Sequence, residues 1–135
     1  VLRQSVRFGA ALGLVFGIIY FISSCVVGQE AAARRYGHVK ITIMALSDYV
    51  EEYRDWPASW KDLYSSKGRR MRNLDEVDWH LVQGDVRLEF DADLNMFTDV
   101  GQLKKAISPT GRCFDFTDDL EDLERAIRAT SKPNR

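Results

Sequence analysis

EYRDWPASWKDL, Glu52 to Leu63, is the stretch on which the reading of this chain turns. Two tryptophans flank a Pro-Ala-Ser step directly after a long helical pattern. Pro57 pushes Trp56 out of helical backbone angles, so the helix that arrives here ends by Asp55. Ser59 then suits an N-cap, with Asp62 three residues on as a capping-box partner. Trp60, Leu63 and Tyr64 face inward from one or two further turns. The stretch reads as helix, stop, cap, short helix: a junction between a long element and a small head. Tyr53, Trp56, Pro57, Trp60 and Leu63 are expected to fix the head against the helix, with Trp60 foremost. The competing reading makes Trp56, Trp60 and Trp79 an aromatic platform for a sugar or peptide.

Upstream of the junction, Tyr36, Val39, Ile43, Leu46, Val50 and Tyr53 recur at alternating spacings of three and four. That is one apolar seam of a helix. Ala31 to Ala33 favour helix, and no proline occurs before Pro57. Gly28 and Gly37 each cost about 1 kcal/mol against alanine and are the points where the helix could bend. The spacing predicts one helix from Phe8 to Arg54. Its second half lays the seam on a small sheet. A coiled coil is the other use of such a seam, but the repeat is short for one.

The first half of that helix is different in kind. Phe8 to Val27, FGAALGLVFGIIYFISSCVV, is twenty residues without a charge. At about 1.5 Å per residue it spans about 30 Å, the thickness of a bilayer core. Residues 1–28 are therefore expected to be a transmembrane anchor. Gly9, Gly13 and Gly17 repeat every fourth residue, a candidate packing face for another membrane helix. Arg3 and Arg7 before the span give the pattern of a signal anchor. This places the N-terminus inside and the head on the extracytoplasmic side of a cell inner membrane, crossed once. Ile22-Ser23-Ser24-Cys25 resembles a bacterial lipobox, which gives an alternative: an envelope lipoprotein or small binding module lipidated at Cys25. Either way the domain is attached to the lipid bilayer.

Cysteine and charge narrow the function classes. Cys25 and Cys113 are the only cysteines, too far apart in sequence to suggest a disulfide framework or a zinc site. A bond between them would require the chain to fold back onto the anchor. Residues 1–72 hold eleven basic and six acidic residues, and residues 73–124 hold four basic and fourteen acidic. An acidic head argues against nucleic acid as a partner.

The remainder predicts a small α+β head, residues 56–130, after the extramembrane helix, residues 29–55, and before a tail, residues 131–135. VDWHLV and VRLEFDADL, joined by Gln83-Gly84-Asp85, alternate in polarity like a β-hairpin. Arg112 to Phe116 reads as a further strand, for an antiparallel sheet of three to four strands. The run from Met96 to Ile107 is ambiguous. Asp118 and Glu121 form a capping-box pattern before a C-terminal helix with a Leu120, Leu123 and Ile127 stripe.

A long N-terminal helix, half in the membrane and half packed on a small antiparallel sheet, resembles the lollipop of type IV pilins and type II secretion pseudopilins. ALSDYVEEYRDWPASWKDL is similar to the pseudopilin segment that ends the helix in a tyrosine and follows it with a Tyr-Pro-Thr/Ser step before a leucine. Tyr49 or Tyr53, Pro57, Ser59 and Leu63 hold those places, and the resemblance covers Phe8 to Leu94. It implies a non-enzymatic structural or interaction subunit with protein partners in a membrane complex. The chain departs from the pilin pattern at Arg7-Phe8-Gly9-Ala10-Ala11-Leu12-Gly13, which replaces the prepilin peptidase site. No glutamate lies in Phe8 to Val27, so the assembly glutamate is missing too.

Candidate chemistry is sparse. Asp91, Asp93, Asn95 and Asp99 space oxygen ligands as a calcium loop does. The resemblance also implies calcium, the only cofactor considered. Met96 stands where such a loop needs glycine and Gln102 where it needs glutamate, and a solvated strand face explains Asp91 and Asp93 as well. Neither His38 nor His80 has a serine, cysteine or carboxylate beside it by spacing, so no catalytic pair is expected. Asp118, Asp119, Glu121, Asp122 and Glu124 read as the acid-rich first turns of a helix. Lys67, Arg69, Arg70 and Arg72 form a basic loop, solvated or in contact with a partner. No small-molecule substrate is predicted.

Overall fold

The computed structural model describes residues 2–65 and 76–131, with side chains from Gly9 onward. The basic loop of Lys67, Arg69, Arg70 and Arg72 lies outside the described residues, as does the tail beyond Ser131. One helix, α1, runs from Leu2 to Tyr53, 52 residues and about 78 Å at 1.5 Å per residue. It passes through Gly28 and Gly37 without interruption. The turn that ends it puts Arg54 at φ 54°, in the left-handed region, with its amide donating to the Val50 carbonyl at 2.9 Å.

The head consists of short pieces set around the second half of α1. In chain order they are α2 (Trp60–Ser65), α3 (Trp79–Asp85), β1 (Val86–Leu88), a 3-10 turn (Leu94–Met96), α4 (Val100–Ala106), β2 (Ile107–Pro109) and α5 (Thr117–Ser131). β1 and β2 pair antiparallel, Val86 opposite Pro109 and Leu88 opposite Ile107. The seam is the core: Val39, Ile43, Leu46 and Val50 are buried against Leu63, Val82, Val86, Leu103, Ile107, Leu120, Leu123 and Ile127. Thr42 and Ser47 are buried on α1 as well, each hydroxyl donating to the carbonyl four residues back.

The class is α+β as expected, but the described sheet has two short strands instead of three to four. The hairpin is the error. Asp78 accepts from the amides of His80 and Leu81 and starts a helix through VDWHLV, so His80 stands on α3 and not on a strand. The alternation of Val77, Trp79 and Leu81 misled, because Leu81 is 56% exposed while its neighbour Val82 is fully buried. Trp79, Val82 and Val86, spaced three and four, are the informative set. VRLEFDADL keeps only Val86–Leu88 as strand before Asp93 caps the 3-10 turn. Arg112 to Phe116 is irregular. α5 begins at Thr117, whose amide donates to Asp115, so Asp118 lies in the first turn and is not its cap.

The junction forms as read, with one exchange of roles. The Asp62 amide donates to Ser59 Oγ at 3.3 Å, and that hydroxyl donates back to Asp62 Oδ2 at 3.1 Å. Trp56, not Trp60, is the buried tryptophan. Its Nε1 donates to the Glu89 carbonyl at 2.7 Å and its ring lies 4.6 Å from Phe97. Trp60 is half-buried beside Phe90 and Trp79, Pro57 and Leu63 are buried, and Tyr53 is exposed, stacked on Tyr49. The three tryptophans therefore pack in two separate places and form no common platform.

Trp56→Ala is expected to cost about 3–5 kcal/mol of head stability and Trp60→Ala less than half of that, read by denaturant unfolding of the detergent-solubilised chain. Arg54→Gly relieves the left-handed backbone and is expected to stabilise the head by about 1 kcal/mol in the same assay.

Candidate functional site

Where the seam nears the exposed apolar half of α1, polar side chains replace apolar ones. Arg34, Arg35, Tyr36 and His38 lie within about one turn and a fraction, and at about 100° per residue they point in several directions. Together they reach three different parts of the head. Arg34 Nε donates to Asp85 Oδ2 at 3.0 Å, and His38 Nδ1 lies 2.7 Å from the same oxygen. Arg35 donates to the Arg112 carbonyl at 3.2 Å, and the Tyr36 hydroxyl to Asp119 at 3.3 Å. The head thus closes around the helix as a collar.

Asp85 is the centre of it. It is the last residue of α3, where the partial negative charge of the helix end opposes a carboxylate. Burial pushes its pKa up, but the hydrogen bonds and positive charge of Arg34 and His38 outweigh burial and hold the carboxyl below its usual value. Its own carbonyl accepts from Thr110, and the Thr110 hydroxyl donates to the Gly84 carbonyl. The end of α3 and the turn after β2 are thereby tied together.

The segment after that turn descends along α1. Gly111 lies close to the Arg35 guanidinium: a Cβ there would fall 2.7 Å from it, so a larger residue would displace the end of that side chain. Asp115 accepts from both the hydroxyl and the amide of Thr117, and these bonds hold its carboxyl below the usual range. Arg112, Cys113 and Phe114 face Phe21, Ser24, Cys25, Gly28, Gln29 and Ala32 across a groove of about 490 Å³. The fold-back that a Cys25–Cys113 approach requires does therefore occur, and both thiols, free here, line one groove. Burial is the main influence on Cys113, and it pushes that thiol's pKa up.

Other sequence-derived candidates fare differently. Asp93 and Asp99 accept from the amides of Asn95 and Gln102, capping the 3-10 turn and α4. Asp91 and Asn95 line a groove with Glu89, but among the described residues no three of His, Cys, Asp and Glu come together as a metal group. Two of the four candidate calcium ligands thus serve as local caps. A Cβ at Gly9, Gly13 or Gly17 would meet nothing within 4 Å, so that face of α1 is open. His38 does have a carboxylate neighbour, contrary to the spacing argument, because Asp85 is brought to it from 47 residues away. The pair fastens the end of α3 to α1. The one sequence signal for it is an acid placed at the end of a short helix.

Asp85→Asn is expected to destabilise the head by about 2 kcal/mol near neutral pH, the scale of hydrogen bonds to a charged group. The depressed pKa of Asp85 fixes the sign of the pH dependence: its stabilisation is present above about pH 4, the unfolded carboxylate value, and is lost as pH falls through the lower folded value. Unfolding of both forms across that range should show the difference shrinking with acid. A difference that stays constant would mean that the charge of Asp85 does not contribute.

Comparison of the chain with protein-family models, with curated proteins and with solved structures finds no match.

Proposed function

We propose that this chain is a single-span, membrane-anchored structural or interaction subunit of an envelope assembly, non-enzymatic, with its head on the extracytoplasmic side. The observation that carries this reading is the contrast between the halves of α1. From Gly9 the helix is long and apolar enough to cross a membrane, and its large side chains are uncovered, Leu14, Phe16, Tyr20 and Phe21 each about two-thirds exposed or more. The same helix from Val39 to Val50 is the centre of the head's core. An apolar surface of that extent, continuous with a folded head, is stable only against lipid or other apolar helices.

The pseudopilin-like character belongs to this proposal. It is supported by the long helix, the stop at Pro57 and the capped restart at Ser59, and it is weakened by the small sheet. The open face of Gly9, Gly13 and Gly17 suits a neighbouring membrane helix as protein partner. The lipoprotein alternative would remove the helix before Cys25, and with it Phe21 and Ser24 from the groove that Phe114 lines.

Mass spectrometry of the mature protein from membranes, together with alkaline carbonate extraction, tests the reading. The expected result is an intact Phe8–Val27 segment in a carbonate-resistant protein that crosslinks to a partner in cells. An acylated Cys25, or a soluble head cleaved from its helix, would overturn it.

A further inference from the structure

We propose that the segment Gly111–Phe116 is a second membrane contact, seating the foot of the head in the phospholipid headgroup layer beside the span. The inference rests on the anchoring reading and adds to it a surface that the sequence does not announce. It follows from heights along α1. The apolar run ends at Val27. Tyr36 is nine residues later, about 13 Å further along the axis. The Phe114 ring lies 6.2 Å from Tyr36 and also lines the groove whose helical wall runs from Phe21 to Ala32, every residue of it on the membrane side of Tyr36. Phe114 therefore lies between Tyr36 and the end of the span. The headgroup layer extends about 5–7 Å beyond the hydrocarbon on each side. The groove straddles that boundary, with Phe21, Ser24 and Cys25 from the apolar run and Gly28, Gln29 and Ala32 from beyond it.

The chemistry of the segment suits that level. Phe114 is 49% exposed, a large ring left uncovered by the head and placed where an aromatic residue is favourable. Beside it stand two cations in an otherwise acidic head. Arg112 is exposed, and neither it nor Arg35 forms an ion pair with a described carboxylate. Glu30 is the only acid on α1 between Phe21 and Arg35. Phosphate oxygens supply what these guanidinium groups lack, and lipid acyl chains continue the apolar wall of the groove. The Arg35 bond to the Arg112 carbonyl and the Asp115–Thr117 cap hold the segment in this position. A second copy or a partner protein could cover the same face, but neither is favoured by the continuity with the span.

The test uses the full chain in phosphatidylcholine and phosphatidylglycerol vesicles carrying a headgroup-attached nitroxide. Both native cysteines are replaced by serine, and a fluorescent label is placed through Phe114→Cys in one variant and Glu52→Cys in another. Glu52 is exposed on α1, about 38 Å beyond Val27. Vesicle flotation reports anchoring in both variants, so loss of flotation would count against the anchor itself. With anchoring intact, the label at 114 should be quenched by the lipid nitroxide about threefold more strongly than the label at 52, as befits an interfacial depth against a distant one. Equal quenching at the two positions overturns the proposal. So does a label at 114 that is shielded from aqueous iodide yet not quenched by lipid, a result that would assign the face to a second copy or a protein partner.

Discussion

The burial of Val39, Ile43, Leu46 and Val50 on one face of α1 is the constraint on which the rest of the head depends. Each such side chain contributes about 1.5–3 kcal/mol when fully withdrawn from water. The other described elements, apart from α5, are helices of seven residues or fewer and strands of three. Helices that short are marginal alone, and a two-stranded sheet of that size does not hold itself together. They persist because each sets an apolar residue on the seam: Leu63 from α2, Val82 from α3, Leu103 from α4, Ile107 from β2, and Leu120, Leu123 and Ile127 from α5. The exposed apolar half of α1 and the half that forms the core of the head are one continuous helix, so no hinge separates them along α1 as far as Tyr53.

The polar collar has a different task from the seam. An apolar stripe fixes how far the head sits from the helix but specifies its rotation only loosely. The Arg34–Asp85–His38 cluster and the Arg35 and Tyr36 contacts are directional and reach different head segments, so they fix both rotation and height. Burying Asp85 is costly, and its net contribution to stability is small beside the core. What it supplies is position: the end of α3, tied to Thr110, sets where the chain leaves β2 and begins its descent toward the span.

Much of this was legible because it is local. A seam at spacings of three and four, a proline that stops a helix, a serine with an acid three residues on, and the Leu120, Leu123 and Ile127 stripe each declare themselves within a few residues. The hairpin was misread for an equally local reason: six residues of alternating polarity fit a strand, and only Asp78 as a cap with Trp79, Val82 and Val86 as a helical set argued otherwise. The four oxygens that resembled a calcium loop included two caps of successive short elements, which the same spacing produces. Trp56 was undervalued because its burial depends on Phe97 and on the Glu89 carbonyl, more than thirty residues away. His38 and Asp85, and Cys25 and Cys113, meet only through the tertiary fold, and nothing near either member of each pair announces the other.

These constraints also decide which surfaces are left for function. The described sheet offers edges of only three residues, a poor template for adding a strand from a partner. The inward faces of α3, α4 and α5 are occupied by the seam. What remains uncovered and apolar on α1 is its N-terminal half, with its open glycine face, and next to it the foot where Phe114 is exposed. Both lie at the same end of the molecule, and the collar holds them in register. A head whose orientation on α1 is fixed keeps its outer face in a defined direction relative to that uncovered apolar surface, which a head on a flexible tether would not do.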